Sequence, residues 1–400
     1  MFKPNRFTVM FAGICSLVLG MGIARYSFTP MIPEMIAQTP MDTGLAGWLA
    51  GWNYMGYLVG LFIVWLVTDL RTKDFMYRYA LIVAILSTLM MATHDHSLVW
   101  YASRFIAGVS TAVVFMLGTG LVMNWLHHNH HEGELGLHFT GIGFGIITCA
   151  LVVDLTGLGE IFSLNWRMQW VALAGVGALF FVPAFFMLPL PAEKEVEMAR
   201  EGEMLVKVEP PDNTWLWFLQ IAYFCAGFSN TLNVTFTSEM AELQPLAGLG
   251  ARIWEVVGIS VVIAPIFWDR MARTIGPVDA LRAAFVLNIL GNLILASQQN
   301  LYTTLVAAVL FGVTFIGIVS LTLSTVGRLY GTRGTQVMAQ LTLGYCVAQI
   351  LSPILFGSLV SVTGSFAVPL FAVSGLMLIG LLALVGLRIA RSRSSTPATG

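Results

Sequence analysis

Arg25 stands inside a long apolar stretch that begins near Phe7 and leads into the segment GMGIARYSFTPMIPEM at 20–35. A run of this length is typical of a helix that crosses a membrane. A charged side chain there costs about 2.5 kcal/mol or more unless it faces a protein interior, a wet cavity or a carboxylate. Because a guanidinium binds a carboxylate or phosphate through two parallel hydrogen bonds, Arg25 marks a candidate anion site.

Other ionisable side chains are predicted towards the outer part of the same helices: Arg104, Asp154 and Glu255, with Glu34 and Glu239 at helix ends. We expect carboxylates from neighbouring helices to offset the buried arginines. Our first hypothesis makes Arg25 the anchor of an anionic substrate and Asp154 or Glu255 the proton carrier. The ligand would be oriented by Tyr26, Asn53, Tyr57, Tyr223 and Asn230. The alternative is that the two arginines form structural ion pairs, an outer gate or a packing lock.

Composition identifies the helices that must position these groups. Hydrophobic residues make up 57% of the chain and charged residues 10%, with a net charge of −1, which favours a polytopic membrane protein and argues against nucleic-acid binding. The four cysteines fall inside predicted spans and are expected to be buried apolar residues. Apolar runs of spanning length lie near 7–36, 44–68, 75–93, 98–126, 136–156, 167–189, 215–240, 249–268, 277–297, 301–327, 335–360 and 365–387.

These runs predict an all-α membrane protein with twelve transmembrane helices. Lys and Arg residues concentrate in the loops on one side, which predicts cytoplasmic N and C termini. We expect an N-terminal six-helix half at 1–189, a charged cytoplasmic linker at 190–214 and a C-terminal six-helix half at 215–400 with a short polar tail. The halves resemble a repeat at an offset of roughly 202–205 residues, which pairs Arg25 with Asn230 and Gly108 with Gly312.

The sequence resembles the major facilitator superfamily, and more closely its YbfB/YjiJ-type branch. The resemblance is carried by GMGIARYSFTPMIPEM (20–35), AGWLAGWNYMGYLVG (46–60), RFIAGVSTAVVF (104–115) and NWRMQW (165–170). It implies a secondary transporter of the bacterial inner membrane that alternates between inward-open and outward-open states.

The superfamily's cytoplasmic loop pattern G-x-x-x-D-R-x-G-R-[RK] occurs here in two degenerate copies. One keeps Asp69 and Lys73, and the other keeps Asp269, Arg270 and Arg273. The resemblance implies a cytoplasmic gate in which an Asp meets basic groups or a helix N-terminus across the halves. The alternative is an ordinary positively charged loop.

The sequence leaves three alternative functions. An exporter of lipophilic cations would use Glu255 with Trp48, Trp52 and Trp254 as an aromatic cage, but span five lacks the Gly-Pro pair of proton-coupled drug exporters. The HHNHH segment at 127–131 matches one histidine box of a membrane oxidase, but one box is too few for an enzyme. A non-transporting sensor would need an output segment, and the polar tail is short.

The sequence therefore predicts a proton-coupled secondary transporter of a small organic solute, and Arg25 favours an anionic one. No P-loop pattern is present, so an ion gradient is the expected energy source. Its expected partners are the small-molecule substrate, protons and the lipid bilayer, and we expect a monomer with no cofactor, no metal and no enzymatic activity.

Overall fold

A computed structural model describes residues 5–67, 69–129, 135–157, 162–189, 213–242, 248–297, 300–330 and 334–394. This part of the chain is helical throughout, without a strand. The long helices are α1 (Arg6–Gln38), α2 (Thr43–Leu66), α3 (Leu70–Met90), α4 (Ser97–His128), α5 (Leu135–Thr156), α6 (Trp166–Phe186), α7 (Asn213–Glu242), α8 (Gly250–Ile275), α9 (Pro277–Ser297), α10 (Leu301–Tyr330), α11 (Gly334–Thr363) and α12 (Ala367–Ser394).

Ten of these helices are long and apolar enough to cross a membrane. The remaining two are α3 and α7, so the full set of twelve spans stays a prediction, as do the cytoplasmic termini. The same holds for the division into 1–189, 190–214 and 215–400, because most of the predicted linker lies outside the described residues.

Polar residues begin several helices by accepting hydrogen bonds from otherwise unpaired backbone N–H groups. Asp42 accepts from the N–H of Leu45 before α2, and Asn165 accepts from the N–H of Met168 before α6. These caps set the residues at which α2 and α6 begin.

The middle of α1 is a π-helix from Val18 to Tyr26. The Ser27 N–H donates to the carbonyl of Gly22 at 2.9 Å, five residues earlier, instead of the usual four. Such segments are rare and occur frequently at functional sites, because they redirect side chains and change which backbone groups are paired. The segment carries Arg25.

The two ends of α1 have different neighbours. Its first segment, Arg6–Leu17, packs on α4, α5 and α6, whereas its last segment, Phe28–Gln38, packs mainly on α7. We call the side of the bundle at Arg6 the near face and the side at Gln38 the far face. The α1–α7 contact between the first six helices and the last six therefore lies towards the far face.

A second crossing towards the far face joins α2 to α11. A Cβ added to Gly47 would lie 2.1 Å from the carbonyl oxygen of Pro353, and one on Gly357 would lie 3.0 Å from the Cα of Gly47. No side chain fits in that space, so these glycines allow the two backbones to touch. The far face is closed at this crossing.

The predicted repeat agrees with one packing detail in each half. A Cβ on Gly108 of α4 would lie 2.0 Å from the carbonyl oxygen of Asn53 in α2. A Cβ on Gly312 of α10 would lie 2.7 Å from the carbonyl oxygen of Val257 in α8. The two contacts have the same spacing along the chain, so the two halves use equivalent glycines at equivalent helix crossings.

Candidate substrate-binding site

Arg25 is buried, with 5% of its surface exposed, in the π-helical segment of α1. Its guanidinium carbon lies 4.3 Å from the ring centre of Tyr57, 4.5 Å from that of Tyr54 and 5.7 Å from that of Tyr26. Aromatic faces at these distances attract a cation, more strongly when water is excluded. The Nε of Arg25 has no hydrogen-bond partner.

Arg104 of α4 is 3% exposed and holds the irregular part of α1. Two of its guanidinium nitrogens donate to the carbonyl oxygens of Ala24 and Arg25, each at 3.2 Å. Its guanidinium carbon lies 4.5 Å from the ring centre of Phe28. The carbonyl of Arg104 accepts a 2.9 Å hydrogen bond from the side chain of Asn53, which ties α2 to the same place.

The expectation that carboxylates offset these arginines is wrong for the described part of the chain. The ion pairs formed there involve other arginines, and neither Arg25 nor Arg104 meets an Asp or Glu. The tyrosine rings stabilise Arg25, and the π-helix presents backbone carbonyls to Arg104. Sequence reasoning could count charged residues, but it could not locate a helix irregularity.

The second half contributes an amide and two further tyrosines. The side-chain N–H of Asn230 in α7 donates to the hydroxyl of Tyr345 in α11 at 3.1 Å, while its Oδ1 has no partner. Tyr345 stacks on Tyr223, with ring centres 4.4 Å apart. Of the predicted ligand-orienting residues, Tyr26 and Tyr57 contact Arg25 and Asn53 lines the cavity beside it. Tyr223 and Asn230 are joined to each other through Tyr345 in the second half.

Two members of this group, Tyr54 and Tyr345, were missed by the sequence analysis. Tyr54 stands three residues before Tyr57 on α2, a spacing that places both rings on one helix face, so its signal was present. Tyr345 lies in an apolar run with nothing in its spacing to distinguish it.

A small cavity of about 10 Å³, enough for about one water molecule, lies where the two halves meet. Its lining includes Arg25, Arg104, Asn53 and Tyr54 from the first half and Thr235 from the second. A site built from both halves is the arrangement expected of a transporter with parallel repeats.

The four predicted carboxylates, Asp154, Glu34, Glu239 and Glu255, are not among the residues that line this cavity. Asp154 of α5 forms a 3.0 Å ion pair with Arg252 of α8, which links the halves near the far face. Glu34 accepts a 3.0 Å hydrogen bond from Gln38. Glu239 is buried near the end of α7, and Glu255 is half-buried on α8.

The residues predicted to form a cytoplasmic gate make local contacts at the near face. Asp69 caps α3 by accepting from the N–H and the hydroxyl of Thr72, both at 2.7 Å, and these bonds hold the pKa of its carboxyl below the usual range. Asp269 pairs with Arg273 at 2.9 Å on the same helix. Contacts of Lys73 and Arg270 across the halves are not seen in the described residues. In the part of the chain that the structure describes, these residues make only local contacts, and the cytoplasmic gate stays a prediction.

The aromatic cage expected for an exporter is not assembled. Trp52 is partly exposed and packs on Tyr101 and Phe105, whereas Trp254 is buried against Tyr26. Among the described residues, neither Trp52 nor Trp48 makes a ring contact with Trp254.

The histidine segment at 127–131 lies largely outside the described residues, and the described ones contain no cluster suited to a metal. Nearby His138 is buried and shares a 3.0 Å hydrogen bond with Thr119. The four cysteines are buried and free, as predicted.

A polar cluster in the second half was also missed by sequence reasoning. Asn292 donates to Asn288 and to Ser229, and Asn233 donates to Asn292, all between 2.8 and 3.1 Å. Asn288 donates in turn to Thr314. The spacing of Asn288 and Asn292, one helical turn apart, was its only signal.

Two groups of helices that meet around a buried polar site, with apolar outer surfaces, define a membrane transporter. A family model described as an uncharacterised MFS-type transporter, YbfB, matches residues 17–385, and the chain belongs to this family. The resemblance to the YbfB-type branch of the major facilitator superfamily is confirmed.

Three known proteins are similar to the chain. The inner membrane transport protein YdhP of Escherichia coli is 24% identical over 179 residues, or 44% of this chain and 45% of YdhP, so the match spans less than half of that relative. The probable sulfoacetate transporter SauU of Cupriavidus necator is 22% identical over 88% of this chain and 86% of SauU. The crystal structure of the nucleoside transporter NupG has a TM-score of 0.74 at 13% identity, covering 96% of this chain and 99% of NupG, and it shows the fold alone.

Proposed function

We propose that the protein is a secondary active transporter that moves a small organic anion across the bacterial inner membrane in step with protons. One observation carries the proposal: the guanidinium of Arg25 is buried where the halves meet, with no carboxylate paired to it in the described residues. A buried cation without a counterion is expensive, and an anionic ligand would supply the missing charge.

The names of the relatives support the substrate class and the location. Sulfoacetate, in the name of SauU, is a small organic anion, and YdhP is named as an inner membrane protein. Neither name identifies the ligand of this chain. The tyrosine rings that could attract a lipophilic cation face Arg25 instead, which favours the anion over the exporter hypothesis.

The different packing of the two ends of α1 supports alternating access. If the near face is cytoplasmic, as the Lys and Arg bias predicts, this conformation, closed at the far-face crossings, would be inward-facing. Opening outwards requires α1 to separate from α7 and α2 to separate from α11. Arg25 and Asn230 would then become accessible from the periplasm instead of the cytoplasm.

Proton coupling is assigned to Asp154 or Glu255. The Asp154–Arg252 pair joins the two halves near the far face. Protonation of Asp154 would remove one charge of that pair and favour opening, which gives a physical route from proton binding to conformational change.

The test is thermal unfolding of the purified protein with small carboxylates, sulfonates, phosphates, amines and lipophilic cations. A ligand at about 100 times its Kd stabilises by roughly 2.7 kcal/mol, which is readily measured. We expect organic anions to stabilise the wild type and Arg25→Gln to lose this response. Arg167→Gln, which alters an exposed pair with Asp95, is the matched control and should keep it.

Uptake into proteoliposomes completes the test. Arg25→Ala should insert normally and fail to transport. Normal transport by Arg25→Ala, or stabilisation by lipophilic cations alone, would rule out the anion proposal.

A further inference from the structure

Arg25 and Arg104 line the same cavity. Both are almost completely buried, at 5% and 3% exposure, and come from different helices, α1 and α4. The guanidinium of Arg104 donates to the backbone carbonyl of Arg25 at 3.2 Å, and Tyr54 lines the same cavity. Two guanidinium groups in one small cavity form an unusual concentration of positive charge for a membrane interior.

Each arginine retains hydrogen-bonding capacity after its contacts with the protein. Arg104 uses two nitrogens on the carbonyls of Ala24 and Arg25, and its Nε has no partner. The Nε of Arg25 is likewise buried and unpaired. Unpaired buried donors are costly and rare in native proteins. Two of them, on two cations that face one cavity, indicate a ligand that supplies acceptors to both.

The charge of the residues that line the cavity indicates the charge of that ligand. The described residues that line the cavity include these two arginines and no Asp or Glu. A monoanion would neutralise one guanidinium and leave the other as an uncompensated buried charge. A dianion neutralises both, and the small cavity must widen to admit it.

We infer that the substrate is a small dianion with two acidic groups, a short dicarboxylate or a sulfocarboxylate, and that Arg104 is its second anchor. This inference rests on the proposed function, in which Arg25 binds an anion. One acidic group would meet Arg25 among the tyrosines, and the other would meet the free Nε side of Arg104. The carbonyl contacts of Arg104 orient its guanidinium before the ligand binds.

The sharpest test uses ligands that differ only in charge. Malonate, succinate and sulfoacetate are compared with the monomethyl esters of malonate and succinate, and with methanesulfonate, at equal ionic strength on purified wild-type protein. We expect the best dianion to bind at least about tenfold more tightly than its half-ester, since a hydrogen bond to a charged group is lost.

Variants then assign the second group to Arg104. Arg104→Gln and Arg104→Lys should reduce the preference for the diacid over its half-ester to less than about twofold, while the half-ester still binds. Arg25→Gln should weaken both. Because Arg104 also holds α1, folding is checked by size-exclusion chromatography and unfolding temperature. If the variants misfold, the wild-type comparison of diacid and half-ester decides.

The outcomes separate the two proposals. If no anion binds the wild type, the proposed function fails. If diacids and half-esters bind equally, the anion transporter stands and the dianion inference is wrong. If the preference exists but survives in a folded Arg104→Gln protein, Arg104 is not the second anchor.

Discussion

The hydroxyl of Thr29 donates a 2.5 Å hydrogen bond to the backbone carbonyl of Val234, a residue 205 positions later in the chain. This separation matches the offset of the sequence repeat, in which TPMIPEM (29–35) is paired with VTFTSEM (234–240). Equivalent positions of the two halves therefore touch each other where α1 crosses α7. Such a contact lies close to the pseudo-symmetry axis, and a motion that separates α1 from α7 would break it.

The first prediction concerns the α2–α11 crossing. Gly47→Ala places a methyl group where the Pro353 carbonyl lies 2.1 Å away, so the two helices must separate. We expect the substitution to shift the protein away from the conformation closed at the far face. Hydrogen exchange should then rise in 43–51 and 350–361.

The control is Gly175→Ala on α6, because an added Cβ at Gly175 meets no atom within 4 Å. It should leave exchange at the crossing unchanged. If Gly47→Ala also leaves it unchanged, the backbone contact does not hold the far face closed.

The second prediction separates two roles of Asp154. The Asp154–Arg252 pair is partly exposed, with Arg252 at 51% and Asp154 at 17%, so breaking it should cost less than about 1 kcal/mol in stability. If Asp154 also carries the proton, Asp154→Asn should abolish uptake driven by a pH gradient and preserve exchange of substrate across the membrane.

The charge reversal Asp154→Arg with Arg252→Asp gives the matched comparison. It restores attraction between the halves without restoring a carboxyl at position 154. Recovery of proton-driven uptake in this double variant would show that no carboxyl is needed at position 154 itself, and Glu255→Gln would become the next variant to measure.

The helices themselves could be predicted from the sequence because apolar runs of spanning length have few alternatives in a membrane. The runs at 44–68 and 277–297 correspond to helices at Thr43–Leu66 and Pro277–Ser297. Arg25 could be found because a charge in such a run needs a compensating environment.

The compensation itself could not be predicted. The rings of Tyr54 and Tyr57 on α2 reach Arg25 in the π-helical part of α1, and nothing in the sequence around Gly20 predicts that irregularity. We expected Asp154 to lie near the buried arginines, but it forms an ion pair with Arg252 at the beginning of α8 instead. Which side chains meet between two helices depends on how each helix is rotated about its own axis. The apolar pattern of the sequence does not determine that rotation when most faces of a helix are apolar.

The third prediction concerns the buried amides of the second half. Asn292 donates to Ser229 and Asn288 and accepts from Asn233, all of them buried. Asn292→Leu would leave those groups unpaired, and we expect a loss of about 1–3 kcal/mol in unfolding free energy. Asn129→Ala, which removes an exposed bond to Trp125, is the control and should cause little change. Equal effects of the two substitutions would mean that the cluster adds no stability beyond a surface contact.

The fourth prediction uses the cap at the start of α3. The bonds from Thr72 hold the pKa of Asp69 below its usual value, so the ionised carboxylate is favoured by folding. A group of this kind stabilises the folded state above its unfolded pKa, and the contribution disappears as the pH falls through the lower folded value. Asp69→Ala should therefore lower the unfolding temperature at neutral pH, and its difference from wild type should shrink as the pH is lowered below the ordinary range of an aspartate. Asp69→Asn retains a capping oxygen without a charge and should show a difference that varies less with pH. A difference for Asp69→Ala that stays constant from neutral to acid pH would mean that its effect comes from helix propensity and not from the charged cap.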